Sequence, residues 1–298
     1  MSGGPDSLAL LLLANAACPG LVEAASVDHG LRPESGAEAE MVAALCEELK
    51  VPHRTLKVEI AAGNIQSKAR AARYAALASW KEARGLDVLV TAHHADDQAE
   101  TLMMRLNRGS GLPGLVSVRG SGGIPGASGR VIRPLLGWRK AELEAVCRQS
   151  GAEWASDPSN EDLSFDRVRI RQALAQADWI DPLALARSAA LLGEANEALA
   201  RLVDDTHFER VEPDGAGFTF AVAQTDYVRI EVVRRILADM GARPSRSEIA
   251  RLVKRLSSVQ NASLAGVLAT WSLEGSFSEG GEPRLTWHFQ PEPPRRTN

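Results

Sequence analysis

Between residues 21 and 106 the chain alternates strand-length apolar runs with helices, and this alternation limits the fold more than any other feature. Leu21–Asp28 is an apolar run of strand length ending in Asp28-His29-Gly30. In Gly36–Lys50, Val42, Leu45, Cys46 and Leu49 recur at i, i+3, i+4 and i+7, which is one face of a helix. Leu56, Val58 and Ile60 alternate within a second strand, Pro52–Ile60. Ile65–Arg84 reads as a long helix with Ile65, Ala69, Ala72, Ala76 and Trp80 on one face. Asp87–His93 is a third strand, and Asp97–Leu106 a helix with Ala99, Leu102, Met103 and Leu106 inward. An apolar helix beginning at Leu8 precedes them all. Helices between consecutive strands imply an α/β fold, a doubly wound parallel sheet covered on both faces.

Beyond residue 107 the pattern loosens. Arg119–Arg130, with its many glycines, reads as a surface insertion. Val131-Ile132-Arg133-Pro134 is a short strand stopped by proline, and Arg139–Ser150 a helix ended by Gly151. From Pro182 the character changes to a second, smaller, mainly helical domain. It contains helices over Leu183–Asp205, Asp226–Met240 and Ser245–Leu256, then a short β segment within Leu264–Phe289. The expected domains are 1–181 and 182–298, with a disordered tail after Pro291. A chain of 298 residues suits two domains.

The net charge of −4 means that any nucleic-acid contact must come from local basic patches. Three widely spaced cysteines, none in a Cys-x-x-Cys, argue against a zinc or iron–sulfur site and suit a reducing, cytoplasmic setting. The run Leu8–Ala17 is too short to span a membrane.

The first helix opens on Ser2-Gly3-Gly4-Pro5-Asp6-Ser7. A glycine-containing turn at a helix start directs N–H groups and the positive dipole end at one spot, which suits phosphate. Ser2 and Ser7 add hydroxyls, and Asp6 can hold a magnesium ion riding on the phosphates. By itself the hexapeptide could equally be an ordinary loop and helix cap. The pattern Ser-Gly-Gly-x-Asp-Ser resembles the signature of the PP-loop ATP pyrophosphatases, whose sheet is adenine nucleotide alpha hydrolase-like. Such enzymes split ATP between the α and β phosphates. A phosphate loop normally hangs from a strand, and only Met1 precedes this one, so the first strand is expected upstream.

Thr91–Thr101 is the densest cluster of reactive groups, with His93, His94, Asp96, Asp97 and Glu100 where a strand turns into a helix. Asp97 and Glu100, three apart, share a helix face. A lone His or Asp here would be a cap or a satisfied core group, whereas five such residues read as a site. A metal cage lacks further Cys or His ligands; acid–base work beside a nucleotide is the other version. On the Ile65–Arg84 helix, Arg70 and Arg73 lie near the start, where a cation gains nothing from the dipole, so a ligand would explain them.

His-His-x-x-Asp-Gln-x-Glu-Thr at residues 93–101, followed by Arg105-Leu106-Asn107-Arg108-Gly109-Ser110-Gly111, resembles the tRNA(Ile)-lysidine synthetase family. So do Val27-Asp28-His29-Gly30-Leu31-Arg32, Asn64-Ile65-Gln66 with Ala69-Arg70 and Arg73-Tyr74, Arg133-Pro134-Leu135-Leu136, and Trp154 with Asp157-Pro158-Ser159-Asn160. The family's Arg-Asn-x-Ile-Arg appears as Arg167-Val168-Arg169-Ile170-Arg171, with Val168 replacing Asn. The second domain matches only loosely and a further C-terminal domain is absent, so the resemblance is to a short form.

The resemblance implies a ligase using ATP and Mg2+. The wobble cytidine of tRNA(Ile) with a CAU anticodon would be adenylated at C2, and L-lysine would displace AMP to give lysidine. It implies that Ser2, Gly3, Gly4, Pro5, Asp6 and Ser7 handle pyrophosphate, with Asp6 as metal ligand. Asp28 and His29 would lie near the adenosine. Arg73, His93, Asp97 and Glu100 would surround cytidine and lysine, and Arg167 would contact phosphate. A homodimer is among the assemblies it allows.

Rivals are a tRNA-thiolating PP-loop enzyme, which would want paired cysteines, and a nucleotide-binding module without catalysis. In the second domain Arg229, Arg234, Arg235, Arg243, Arg246, Arg251, Lys254 and Arg255 crowd two helices. They suit tRNA phosphates, against the plainer reading of solvated helix charge.

Overall fold

The computed structural model describes residues 1–28, 34–58, 65–155, 162–222, 225–274 and 284–293. Two compact units, Met1–Glu194 and Ala195–Asn298, divide the chain inside one long helix.

In the first unit Gly4, in extended geometry, precedes α1 (Pro5–Ala17), and Pro5 supplies the helical φ for the first turn. β1 (Ala24–Asp28) and β2 (His53–Lys57) pair in parallel and are connected through α2 (Glu34–Glu48). α3 (Ile65–Ala83) leads to β3 (Val88–Val90), and α4 (Ala95–Asn107) follows. After the single turn α5 (Leu112–Leu115), β4 (Ser121–Gly123) and β5 (Arg130–Ile132) form an antiparallel pair. β5 lies parallel to β3, with Val90 opposite Ile132. α6 (Lys140–Ser150), α7 (Asp166–Gln176) and α8 (Pro182–Arg210) complete the unit, α8 running on into the next.

Neighbouring strand residues show why helices lie on both faces. Ala24 packs in one cluster with Leu8, Val42, Cys46, Leu143 and Cys147, from α1, α2 and α6. Ala25 packs in another with Tyr74 and Leu77 of α3 and with Leu89 and Val131. Successive strand side chains point to opposite faces, so each strand needs two covers. The structure departs from expectation at Arg119–Arg130. This stretch is not a plain insertion: Ser121–Gly123 pairs with β5, and Ile124 is buried against the α3 cluster. A Ser-Gly-Gly strand has no side-chain alternation by which to announce itself.

The second unit contains more sheet than its sequence suggests. β6 (Val211–Asp214) and β7 (Gly217–Ala221) form a hairpin, followed by α9 (Asp226–Asp239) and α10 (Arg246–Ser257). β8 (Ala262–Leu264), β9 (Val267–Glu274) and β10 (Arg284–Pro291) follow. The five strands are antiparallel in the order β6-β7-β10-β9-β8. Trp287 and Phe220, stacked edge to face at 5.8 Å, join Val232, Val233, Ile236 and Leu237 of α9 and Ile249, Val253 and Leu256 of α10 in one core. Among the described residues no helix is long and apolar enough to cross a membrane.

Candidate active site

Three helix starts and one two-arginine helix meet at this site. Gly3 takes φ +70°, which favours glycine, and a Cβ there would lie 3.3 Å from Met41 Cε. No side chain caps α1, so its first turn keeps its dipole open to a ligand. The loop is braced from within and from outside. Ser2 Oγ donates to Ser7 Oγ at 3.2 Å, Ser7 Oγ donates to the Gly4 carbonyl at 2.9 Å, and the Gly3 carbonyl accepts from Ala155 N at 3.0 Å.

His94 is the N-cap of α4 and is 4% exposed. Its Nε2 lies 3.5 Å from Asp6 Oδ2 and 3.5 Å from Asp97 Oδ2, and its Nδ1 lies 3.6 Å from Asp96 Oδ2. Burial alone would depress this imidazole; the three carboxylates outweigh burial and raise it to about 10. His94 therefore stands as a cation that ties the phosphate loop to α4. Asp96 reaches the start of α6, accepting from Lys140 N at 2.8 Å and from Arg139 Nη2 at 3.1 Å. Against the upward push of burial, His94, Arg139 and the Lys140 N–H hold its carboxyl well below the usual range.

His93 is the opposite case. Its Nδ1 is 3.0 Å from Thr91 Oγ1. Burial depresses it first; Asp97 opposes, Arg133, Arg70 and Arg167 add to the depression, and the ring ends at about 4. It is neutral at pH 7 within an electropositive surround.

Asp97 and Glu100 are both held by α7. Arg167 donates from Nη2 to Asp97 Oδ1 and from Nε to Glu100 Oε2, each at 2.6 Å. Arg171, one turn on, donates from Nε to Glu100 Oε1 at 2.6 Å. Glu100 is 3% exposed, so these pairs supply the charge balance that burial demands. Asp97 Oδ2 also accepts from His94 N at 3.2 Å, so the residue caps α4 as well as binding Arg167. Val168, between the two arginines, is buried.

The structure thus brings together Asp6, His93, Asp97, Glu100 and Arg167. Arg167 is engaged with carboxylates here. Arg73 lies on α3 beside buried Tyr74, and Asp28 ends β1, its carbonyl accepting from Val58 N at 2.9 Å. His29, Asn64 and Asp157–Asn160 lie outside the described residues. Sequence reasoning assigned no role to His94, Asp96, Arg139 or Arg171. For Arg171 a signal existed: its i+4 spacing from Arg167 matches the i+3 spacing of Asp97 and Glu100. For His94 the cluster was a signal, but two adjacent histidines look alike until the backbone separates them, so its role did not show.

Asp6 Oδ1 is buried and has no hydrogen-bond partner among the described residues. An orphaned carboxylate oxygen beside an anion loop fits a divalent cation shared with phosphates. No group of three or more His, Cys, Asp or Glu residues among those described is arranged to hold a metal unaided. Cys18, Cys46 and Cys147 are free thiols, the latter two buried.

A family model described as the PP-loop domain matches residues 1–178. The fold is similar to that of the U34-tRNA thiolase NcsA from Methanococcus maripaludis, solved with its [4Fe-4S] cluster. The TM-score is 0.53 at 17% identity, over 65% of this chain and 71% of that one. The first unit is thus a PP-loop domain, the class built to use ATP. More particular are the relatives that match almost end to end. The tRNA(Ile)-lysidine synthase of Novosphingobium aromaticivorans is 41% identical over all of this chain and 89% of its own. Those of Zymomonas mobilis and of a Methylobacterium species are 36% and 38% identical, each over 99% of this chain. The chain belongs to the tRNA(Ile)-lysidine synthase family.

Proposed function

We infer that the protein is an ATP-dependent ligase that converts the wobble cytidine of tRNA(Ile), in a CAU anticodon, to lysidine. ATP adenylates the C2 oxygen and releases pyrophosphate. An amine of L-lysine then attacks C2, AMP departs with that oxygen, and the amine loses a proton. The observation that carries the reading is the junction at His94, which joins the phosphate loop to the Asp97–Glu100–Arg167–Arg171 network.

Each part has a physical task. The open N–H groups of α1 and the hydroxyls of Ser2 and Ser7 bind the departing pyrophosphate. Asp6 would hold Mg2+, which when bound supplies positive charge to the phosphates. The amine of lysine, with an ordinary pKa of about 10.4, must react in its neutral form. Burial, and after it the field of Arg133, Arg70 and Arg167, keeps His93 neutral, and the same surroundings favour the neutral amine. In the tautomer whose Nδ1–H donates to Thr91 Oγ1, Nε2 of His93 carries the basic lone pair. Asp97, fixed by Arg167 and the His94 N–H, orients the base or the amine. Asp28 and His29 would border the adenosine and Arg73 the cytidine. The cations of α10, and to a lesser extent the carboxylate-paired arginines of α9, would contact tRNA phosphates. Residues 1–181 would form the catalytic domain, residues 182–298 the tRNA-binding appendage, and a homodimer in the cytoplasm goes with this reading.

The test is nucleoside analysis of isoleucine tRNA after incubation with the protein, ATP and lysine. Lysidine should appear together with equal AMP and pyrophosphate. Nucleotide binding without lysidine or pyrophosphate would leave a binding module instead.

A further inference from the structure

Arg133 follows β5 directly, and its place in the sheet is defined by main-chain bonds. Thr91 N donates to the Ile132 carbonyl at 3.1 Å, so Arg133 and His93 leave neighbouring parallel strands at the same carboxyl edge. That edge is where open α/β sheets bind ligands. Arg133 is 9% exposed. Its Nη1 donates to the Arg119 carbonyl at 2.8 Å, while Nε is buried without a partner. Among the described residues no carboxylate pairs with it. Arg139, Arg167 and Arg171 each have one, and Arg70, whose field also reaches His93, is exposed and lies over the Tyr74 ring at 5.2 Å.

A buried guanidinium without an anion is costly, and a buried N–H with no acceptor adds to the cost. The free side of Arg133 is the Nε–Nη2 edge, which offers two parallel N–H groups to two oxygens. Elsewhere in this protein the same edge of Arg84 grips Glu23 Oε2 at 2.9 Å and Oε1 at 2.8 Å. Arg133 thus presents half of a fork-to-carboxylate pair. Its positive field is felt at His93.

We propose that Arg133 forms the floor of an anion subsite that takes the carboxylate of the amino-acid substrate. This rests on the lysine-coupling reading above. Carboxylate and phosphate oxygens would both fit the fork. The phosphates already have the Ser2–Ser7 loop and the start of α1, whereas a free amino acid has no other unpaired buried cation at this edge among the described residues. Held there, the carboxylate would fix one end of the substrate and leave its amines to reach the activated cytidine.

The experiment compares L-lysine with L-lysinamide, which keeps both amines and lacks the carboxylate, in the wild type and in Arg133→Gln and Arg133→Lys. In the wild type kcat/KM should favour lysine by about 10- to 100-fold, the scale of one charge-assisted fork. Arg133→Gln should erase the preference for lysine over lysinamide, leaving the KM for ATP unchanged. Arg133→Lys, a point charge without the planar edge, should keep part of the preference. Equal loss with both amines would make Arg133 a purely structural anchor of the Arg119 carbonyl and overturn the proposal. A raised KM for ATP with an intact preference for lysine would assign the fork to nucleotide phosphate and overturn it too. A wild type that uses both equally well overturns it without any variant. A wild type that forms no lysidine at all overturns the coupling reading itself, and this inference with it.

Discussion

A buried arginine–carboxylate network in the first unit and two exposed arginine–carboxylate pairs in the second hold their charges on opposite terms. In the first unit the carboxylate is buried: Glu100 is 3% exposed, held by Arg167 and Arg171. In the second the carboxylates of Asp226 and Asp204 stand largely in water beside Arg229 and Arg235. A buried carboxylate deprived of its cation has nothing to replace it; an exposed one recruits water and salt. The first arrangement therefore sets the shape of the site, while the second adjusts surface charge.

The largest effect should come from breaking the buried side of this comparison. Replacing Arg167 and Arg171 together by Ala leaves Glu100 unpaired, and denaturant unfolding should show a loss of about 3–5 kcal/mol. Arg229→Ala should cost under about 1 kcal/mol by the same measurement. Equal costs would erase the distinction.

Asp97→Asn probes chemistry rather than stability. Asn retains an oxygen to accept from His94 N but cannot offer Arg167 a charge. Lysidine formation should fall by about 100-fold, worth roughly 2.7 kcal/mol at the transition state, with the unfolding midpoint little changed. Near-normal turnover would reduce Asp97 to a helix cap.

These two sites also mark what could be read from the chain itself. The α/β order was legible because the apolar residues of α2 and α4 recur at helical spacing around short apolar strands. Asp97 and Glu100 were legible as one face for the same reason. α7 was not, because Asp166–Gln176 is too polar to show a core-facing stripe, so the partners of Glu100 stayed hidden. The β6–β7 hairpin was hidden behind the strong Ala/Leu pattern of α8. Most instructive is the pair His93 and His94. They differ only in which carboxylates and arginines the fold brings near, and that depends on strands and helices dozens of residues away.

Those two histidines should give the first unit a stability curve that falls on both sides of neutrality. His93 is depressed to about 4 from 6.5, so the unfolded chain takes up its proton first, and its contribution is lost as pH falls from 6.5 through 4. His94 is raised to about 10, so its contribution is full below 6.5 and lost as pH rises through 10. Each limb can reach at most about 1.4 kcal/mol per pH unit. Unfolding measured without nucleotide or metal should show both limbs. His93→Gln should flatten the acid limb and His94→Gln the alkaline one; a variant that leaves its limb untouched would refute that assignment.

The smallest effect lies in the second unit, in how tRNA binding responds to salt. On α9, Arg229 bonds Asp226 at 3.1 Å, Arg234 bonds Glu231 at 2.8 Å, and Arg235 pairs with Asp204. Arg246 also reaches Glu231, at 3.3 Å. On and beside α10 the balance differs. Glu248 caps Ser245, accepting from its N at 2.7 Å, and the side chains of Arg243, Arg251 and Lys254 make no ion pair or hydrogen bond among the described residues, Arg251 acting on Glu248 only through its field. A phosphate that meets a paired arginine must displace a carboxylate and gains little. One that meets an unpaired cation releases a counterion and gains the full entropy of that release. Reversing Arg251 and Lys254 to Glu should therefore lower the slope of log K against log salt by about two. Reversing Arg234 and Arg235 should leave the slope nearly unchanged and act mainly by placing Glu beside Glu231 and Asp204. If the α9 pair flattens the slope more than the α10 pair, exposed ion pairs here open freely to phosphate. The contrast between architectural and adjustable charge would then hold only between the two units and not within the second.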